Sequence, residues 1–296
     1  MLINNSLNIR HAQPKRLMLA ALLLFTPSCF RAGPNYSPPS PLLPAQFQQA
    51  GRQDVKSGLS DITHWWTVFG DPSLEHCIEQ AGAQNLSLRT AQARIEEARA
   101  NLAIAAGDWF PLGAADGQIT RAKQFPAITD PTVRTRSAVG FSLSWELDLF
   151  GRVSRAVESA SAAYEASAED RTALLVSLYA ETARIYFTLR QLQAQLESAK
   201  SNIAAQREIL QLTQSRFASG LSSGLDVAQA ERILASSEAE LPNLRIGIVQ
   251  ALNNLAVLLG KHPGELHQEL STPRPVPAPP ASIVLDIPAS VIRRRP

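Results

Sequence analysis

The sequence predicts a mainly helical chain in which a long antiparallel coiled-coil hairpin is joined to a two-stranded ribbon. Three observations predict it. The 68 residues between Gly151 and Gly220 contain neither glycine nor proline. Two apolar seams stepping by three and four residues flank a short glycine turn at Gly220 to Gly224. Just before the long stretch, Val139 to Leu149 alternates apolar and polar side chains at every position.

The first 28 residues read as a signal peptide and stand apart from the fold. Arg10, Lys15 and Arg16 form a positive n-region, and Leu17 to Phe25 supplies nine apolar residues. That is well short of the ~20 needed to span a bilayer as a helix. The Thr26-Pro-Ser-Cys29 sequence that follows resembles the lipobox of bacterial lipoproteins, in which cleavage leaves an acylated cysteine. It departs by carrying Thr26 where leucine is usual, and ordinary cleavage near Ser28 is the alternative. Cys29 is the expected lipidation site, and several acyl chains on one residue would anchor the protein stably. Cys77, the second cysteine, would then lack an intrachain partner and sit as a small buried apolar residue. If Cys29 keeps its thiol, the two could instead form a disulfide.

Residues 29–60 form a proline-rich linker, with five prolines in Gly33 to Pro44 favouring extended backbone. Residues 61–111 carry N-terminal helices. Asp71 is placed as an N-cap with Pro72 at the first helical position, where a missing N–H costs nothing. That helix runs to about Gly82. A second spans about Asn85 to Ala106, with Leu88, Ala91, Ile95, Ala98, Leu102 and Ala105 as its seam. Gly107 and Pro111 end it.

Residues 112–149 are expected to form a transmembrane β-hairpin. Val139, Phe141, Leu143, Trp145, Leu147 and Leu149 fall on one face of a strand, and Gly140, Ser142, Ser144, Glu146 and Asp148 on the other. A strand over 138–149 extends about 40 Å, or about 28 Å in height at a tilt near 45°, close to the ~25 Å apolar band of an outer-membrane barrel. Its partner runs from Leu112 to about Lys123, with a polar loop holding Pro126, Asp130 and Pro131 between them. A soluble half-buried strand is the bland alternative, but an isolated hairpin is marginal in water. Its apolar face and open edges call for lipid and for strands from other chains.

Residues 150–260 form the long helical hairpin. An unbroken helix over the glycine- and proline-free stretch would be about 100 Å long. Its seam is Ile185, Leu189, Leu192, Leu196, Ala199, Ile203, Gln206, Leu210, Thr213 and Phe217. The returning seam is Val227, Ala230, Leu234, Ser237, Leu241, Leu244, Ile248, Ala251, Leu255 and Leu258. Pro242 should kink the returning helix. Residues 261–296 are a proline-rich tail.

Composition excludes some functions. A net charge of +2 gives no basic surface for nucleic acid, and Arg293 to Arg295 is too short a run to supply one. His262, Glu265 and His267 do not follow the H-E-x-x-H pattern of a zinc helix, and Pro263-Gly264 between them predicts a turn. Gly220 and Gly224 lack the lysine of a phosphate loop. No catalytic, metal or cofactor site is expected.

Taken together, the chain resembles the TolC-like outer membrane factors, in their NodT-like lipoprotein branch. The residues that carry the match begin with Gly33 to Tyr36, Trp65-Trp66, Phe69 and Asp71-Pro72. Ala91 to Ala100, Trp145 to Arg152 (WELDLFGR) and Tyr186 to Arg190 follow. The last are Arg216-Phe217, Gly220, Leu225 to Val227 and Gln229-Ala230. The resemblance implies an oligomer, a trimer, with a β-barrel in the cell outer membrane and an α-helical tunnel in the periplasm. A periplasmic adaptor would couple it to an inner-membrane pump. Arg216, Phe217, Gly220, Ser223, Gly224, Leu225 and Asp226 would form the adaptor-contact tip. Ordinary turn and capping chemistry accounts for the same residues equally well.

The family repeats this unit twice, whereas the sequence after Ile287 reads as the opening of a second one. The second hairpin pair and the family's acidic aperture residues are therefore expected to be missing. A trimer would then supply six strands, below the eight of the smallest outer-membrane barrels. A truncated or split product is the resulting expectation, conducting with six copies or with a second chain. A lipid-anchored periplasmic coiled coil without a pore is the rival reading.

Overall fold

The computed structural model describes residues 32–39, 55–57, 63–124, 132–280, 282–285 and 291–292. Cys29, the loop holding Pro126, Asp130 and Pro131, and the run Arg293 to Arg295 lie outside the described residues. The chain divides into two units, one drawn from 1–38 and 97–165 and the other from 39–96 and 166–296.

Helices dominate. After strand β1 (Val55–Ser57) and a tight 3-10 turn over Trp65–Phe69 come α1 (Pro72–Gln84) and α2 (Leu86–Gly107). Strands β2 (Leu112–Gln124) and β3 (Thr132–Ser144) lead into α3 (Arg152–Ala218). Helices α4 (Gly224–Glu238), α5 (Leu241–Leu258) and the short α6 (His267–Leu270) follow, then β4 (Ile283–Leu285). β1 and β4 pair in parallel, with Val55 opposite Ile283. No described helix is long and apolar enough to cross a membrane.

The start of α1 is as expected. Asp71 Oδ1 accepts from the Ser73 N–H at 2.9 Å and the Leu74 N–H at 3.4 Å, with Pro72 in the first turn. Leu74, Cys77, Ile78 and Ala81 recur at helical spacing and are all buried. Asn85 separates α1 from α2. Its Oδ1 accepts from the Ser87 and Leu88 N–H groups, and its Nδ2 donates to the Leu258 carbonyl at 2.9 Å.

α3 is a single helix of 67 residues, about 100 Å long at 1.5 Å per residue. The two seams meet as expected. Ile185, Leu189 and Ile203 are buried on α3, as are Ala251 and Leu255 on α5, and the remaining seam positions are half-buried except exposed Phe217. Gly247 lies so close to Leu192 that an added Cβ would come within 3.2 Å of its Cδ1. Arg207 pairs with Glu238 across the hairpin at 2.6 Å.

Pro242 corrects one expectation. The returning arm is not one kinked helix but two, because residues 239–240 form a turn and Pro242 lies in the first turn of α5. Proline has no N–H to continue the ladder and crowds the preceding turn, so a fresh helix start costs less than an interior kink.

The main core joins the Trp66 turn, α1 and the stretches of α3 and α5 around Tyr186 and Leu255. Arg190, 1% exposed, is buried at its edge. It stacks on the Tyr186 ring with its guanidinium carbon 4.9 Å from the ring centroid. Its Nη1 donates to Gln193 Oε1 at 2.8 Å and to the Thr272 carbonyl at 3.1 Å. Gln193 Nε2 donates to the Leu270 carbonyl at 2.8 Å. A buried cation is tolerable only when oxygens and a π face replace its water, and here carbonyls behind α6 do so.

Candidate functional site

Two parts of the structure answer to the residues singled out in the sequence. One is the β2–β3 hairpin. Its register pairs Leu112 with Ser144 at one end and Gln124 with Thr132 at the other. Even-numbered residues of both strands therefore share one face, and odd-numbered residues share the opposite one. Ile119, Val139, Phe141 and Leu143 on the odd face are 78%, 75%, 84% and 75% exposed. Asp116, Gln118, Thr120, Arg134, Arg136 and Ser142 occupy the even face.

The strand lies earlier than its alternation suggested. β3 covers Thr132–Ser144 instead of 138–149, because the partner strand runs out. Continuing the register would set Trp145 against Pro111, which has no N–H, and Glu146 against Phe110, whose N–H is already given to the Gly107 carbonyl. The freed residues find other partners. Trp145 Nε1 donates to the Trp109 carbonyl at 3.3 Å, and Glu146 forms a two-pronged pair with Arg152 at 2.7 and 2.8 Å. Asp148 takes the N–H groups of Val153 and Ser154 and so caps α3. Glu146 and Asp148, expected on the polar strand face, thus secure the junction into α3. Trp145, Leu147 and Leu149 stay exposed beside it.

Arg155 adds a clamp that nothing in the sequence marked. Its guanidinium donates to the carbonyls of Ala32 and Gly33 and to Asn35 Oδ1, at 3.0 to 3.2 Å. The Ala32 N–H in turn reaches the Phe150 carbonyl at 3.2 Å. The Gly33-Pro-Asn-Tyr36 segment is thereby held against the start of α3.

The second part is the tip of the helical hairpin. α3 ends on Gly220 at φ +75°, a backbone shape that glycine adopts freely. The Gly220 N–H bonds to the Phe217 carbonyl at 2.9 Å and the Leu221 N–H to the Arg216 carbonyl at 2.8 Å, which closes the helix end. Three residues on, Ser223 caps α4. Asp226 N–H donates to Ser223 Oγ at 3.3 Å, while Ser223 N–H donates to Asp226 Oδ2 at 2.9 Å. The Ser223 and Ser222 hydroxyls add a second and a third donor to that carboxylate. These bonds, the Ser223 N–H first, hold the Asp226 carboxyl below its ordinary range.

All seven expected tip residues therefore lie in one turn. Arg216, Ser223 and Asp226 serve it by hydrogen bonds, and Gly224 sits against the Phe217 ring. What the turn presents is apolar: Phe217, Leu221 and Leu225 are 51%, 71% and 75% exposed. Leu221 is not among the residues that the sequence places at the tip, because nothing in its residue type marks its exposure.

Cys77 is buried and free, and burial pushes its thiol up to about 12. His262 and His267 flank a turn, as expected. Among the described residues no cluster of three or more His, Cys, Asp or Glu side chains is placed to hold a metal.

Residues 77–261 match the model of a family described as outer membrane efflux protein. The chain is 35% identical over 265 residues to nodulation protein T of Rhizobium leguminosarum bv. trifolii, covering 89% of this chain and 56% of that protein. It is 31% identical over 249 residues to the pyoverdine export outer membrane protein OpmQ of Pseudomonas aeruginosa, covering 79% and 52%. The structure superposes on the outer-membrane channel OprN with a TM-score of 0.77 at 35% identity, over 89% of this chain and 59% of that one. The chain thus spans little more than half the length of these relatives. The family match, a sequence relative above one-third identity and a solved channel of the same fold agree: this chain belongs to the outer membrane efflux protein family.

Proposed function

We propose that the chain is part of a passive conduit in the outer membrane, the channel component of a tripartite efflux system. The observation that carries this reading is the β2–β3 hairpin, whose whole odd face is exposed although it bears Ile119, Val139, Phe141 and Leu143. Among the described residues neither outer edge of the hairpin has a strand beside it. Such a ribbon is stable where lipid covers the apolar face and neighbouring strands satisfy the edges. Thirteen-residue strands tilted near 45° rise about 30 Å, which is the scale of a barrel wall with its apolar band and one charged rim. In this reading, strands of other copies or of a second chain supply those neighbours. The helices of 150–260 stand in the periplasm.

At the tip, Phe217, Leu221 and Leu225 form the apolar surface that a periplasmic adaptor covers, and the adaptor links the conduit to an inner-membrane pump. The capped turn supports this by presenting three greasy side chains on a rigid base. Lipid on Cys29 completes the anchoring. The Arg155 clamp on Ala32 to Asn35 supports it by tethering the segment that follows Cys29.

Single-channel recording in planar bilayers tests the conduit, with defined conductance steps as the expected result. Absence of steps at every oligomeric state favours the lipid-anchored coiled coil without a pore. Metabolic palmitate labelling tests the anchor: label is expected on the intact chain and absent from Cys29→Ser, and label persisting in that variant overturns it.

A further inference from the structure

The hairpin carries its positive charge at one end. Arg121, Lys123, Arg134 and Arg136 all lie in the half that leads to the 125–131 connection. The register divides them by face: Arg121 and Lys123 are odd, Arg134 and Arg136 even. Thr120 pairs with Arg136 and Ala122 with Arg134, so the even pair sits level with the odd pair.

The odd face dates the membrane boundary. Along β2 its apolar side chains run up to Ile119, and Arg121 is the first charge after them; on β3 Val133 alone lies further out, level with Lys123. A cation on a lipid-facing strand is costly at mid-bilayer and cheap at the headgroups, so the apolar band stops between these two residues. Arg134 and Arg136 therefore stand at the mouth, on the face turned from lipid. With Gln118, Thr120, Ala122 and Ala138 they line a concavity of about 540 Å³.

Neither arginine has an ion-pair partner among the described residues. The one acid of the described hairpin, Asp116, lies beside Gly140. Four residues separate its level from that of Arg136, about 14 Å along the strand at 3.4 Å each. That exceeds the screening length of ~8 Å at physiological salt, so Asp116 does not neutralise the pair.

We propose that Arg134 and Arg136 form an anion-selecting band at the outer mouth of the conduit, favouring solutes that carry carboxylate, sulfonate or phosphate groups. This rests on the conduit reading above. Each copy in the assembly adds two guanidinium groups about 7 Å apart on the lumen face. A ring of one charge sign between low-dielectric walls focuses the field, raises the local concentration of the opposite ion and excludes the same sign.

The reversal potential of the reconstituted full chain in a KCl gradient tests it. The pore should favour chloride over potassium. Arg134→Gln/Arg136→Gln should lower that permeability ratio by a factor of about two or more. Arg134→Lys/Arg136→Lys should keep it, and Arg121→Gln on the lipid face should leave it unchanged. The preference should also shrink in 1 M salt, where the screening length falls to ~3 Å. Conducting pores with the same reversal potential in the parent and the double glutamine variant overturn the selectivity band alone. Failure of every variant and the parent to conduct removes the conduit and the band with it.

Discussion

The Tyr186 hydroxyl donates a 2.5 Å hydrogen bond to Asp71 Oδ2, while Oδ1 of the same carboxylate caps α1. One side chain thus joins a helix start to the middle of α3, 115 residues away in sequence. Burial, and then this bond, pushes the Tyr186 phenol up to about 12.

Asp71→Ala should lose both roles. A cap contributes about 1 kcal/mol and a hydrogen bond to a charged group about 1.5–3 kcal/mol, so a loss of roughly 2.5–4 kcal/mol is expected. Tyr186→Phe should cost less, because only the bond to Asp71 is removed and the cap remains. Urea unfolding of both variants and the double variant measures this. The double should fall short of the sum, since the two residues share one interaction.

Two glycines with similar backbone angles should respond differently to alanine. Gly220, at φ +75°, has nothing within 4 Å of an added Cβ. Gly220→Ala should cost only the left-handed backbone penalty, about 1–2 kcal/mol. Gly260, at φ +70°, would place its Cβ 2.5 Å from the Gln84 carbonyl oxygen. Gly260→Ala must move backbone as well, and roughly 3 kcal/mol or more is expected. Thermal melts followed by circular dichroism rank the pair.

Cys77 should resist alkylation in the native protein. It is 1% exposed and its thiol is pushed up to about 12, so almost no thiolate is available at neutral pH. In a Cys29→Ser background, maleimide should label the chain only after denaturant is added. Rapid native labelling would contradict the burial of α1 on the core.

The hairpin tip should loosen in acid. Asp226 titrates below its ordinary value of 3.8 in the folded chain, so its contribution is fully present above that value. It is lost as pH falls through the depressed folded value. Amide exchange at Ser223 and Asp226 should therefore be protected near neutrality and speed up, beyond the intrinsic pH trend, below the usual carboxylate range. Asp226→Asn should remove that dependence.

Much of the architecture was legible in the sequence because it is local. A long run without glycine or proline, seams in 4-3 steps and Asp71-Pro72 each act through near neighbours, and each recurs in the structure. The capped turn after Phe217 was readable for the same reason. Leu221 was not, because its importance is its exposure and exposure is decided by everything around it. Arg190 and Arg155 show the same limit: their carbonyl partners at Thr272, Ala32 and Gly33 are distant in sequence, and a carbonyl leaves no residue-type signature.

By itself, the order of residues determined where helices can run, which faces are apolar and that a ribbon precedes the rod. Only tertiary structure decided where β3 stops, since a strand extends no further than its partner and Pro111 ends the partner's supply of donors. It likewise turned Glu146 and Asp148 from strand residues into the fastening of α3, and split the returning arm at Pro242. In each case the chemistry was already in the chain, but the choice between uses depended on which donor or acceptor came within 3 Å.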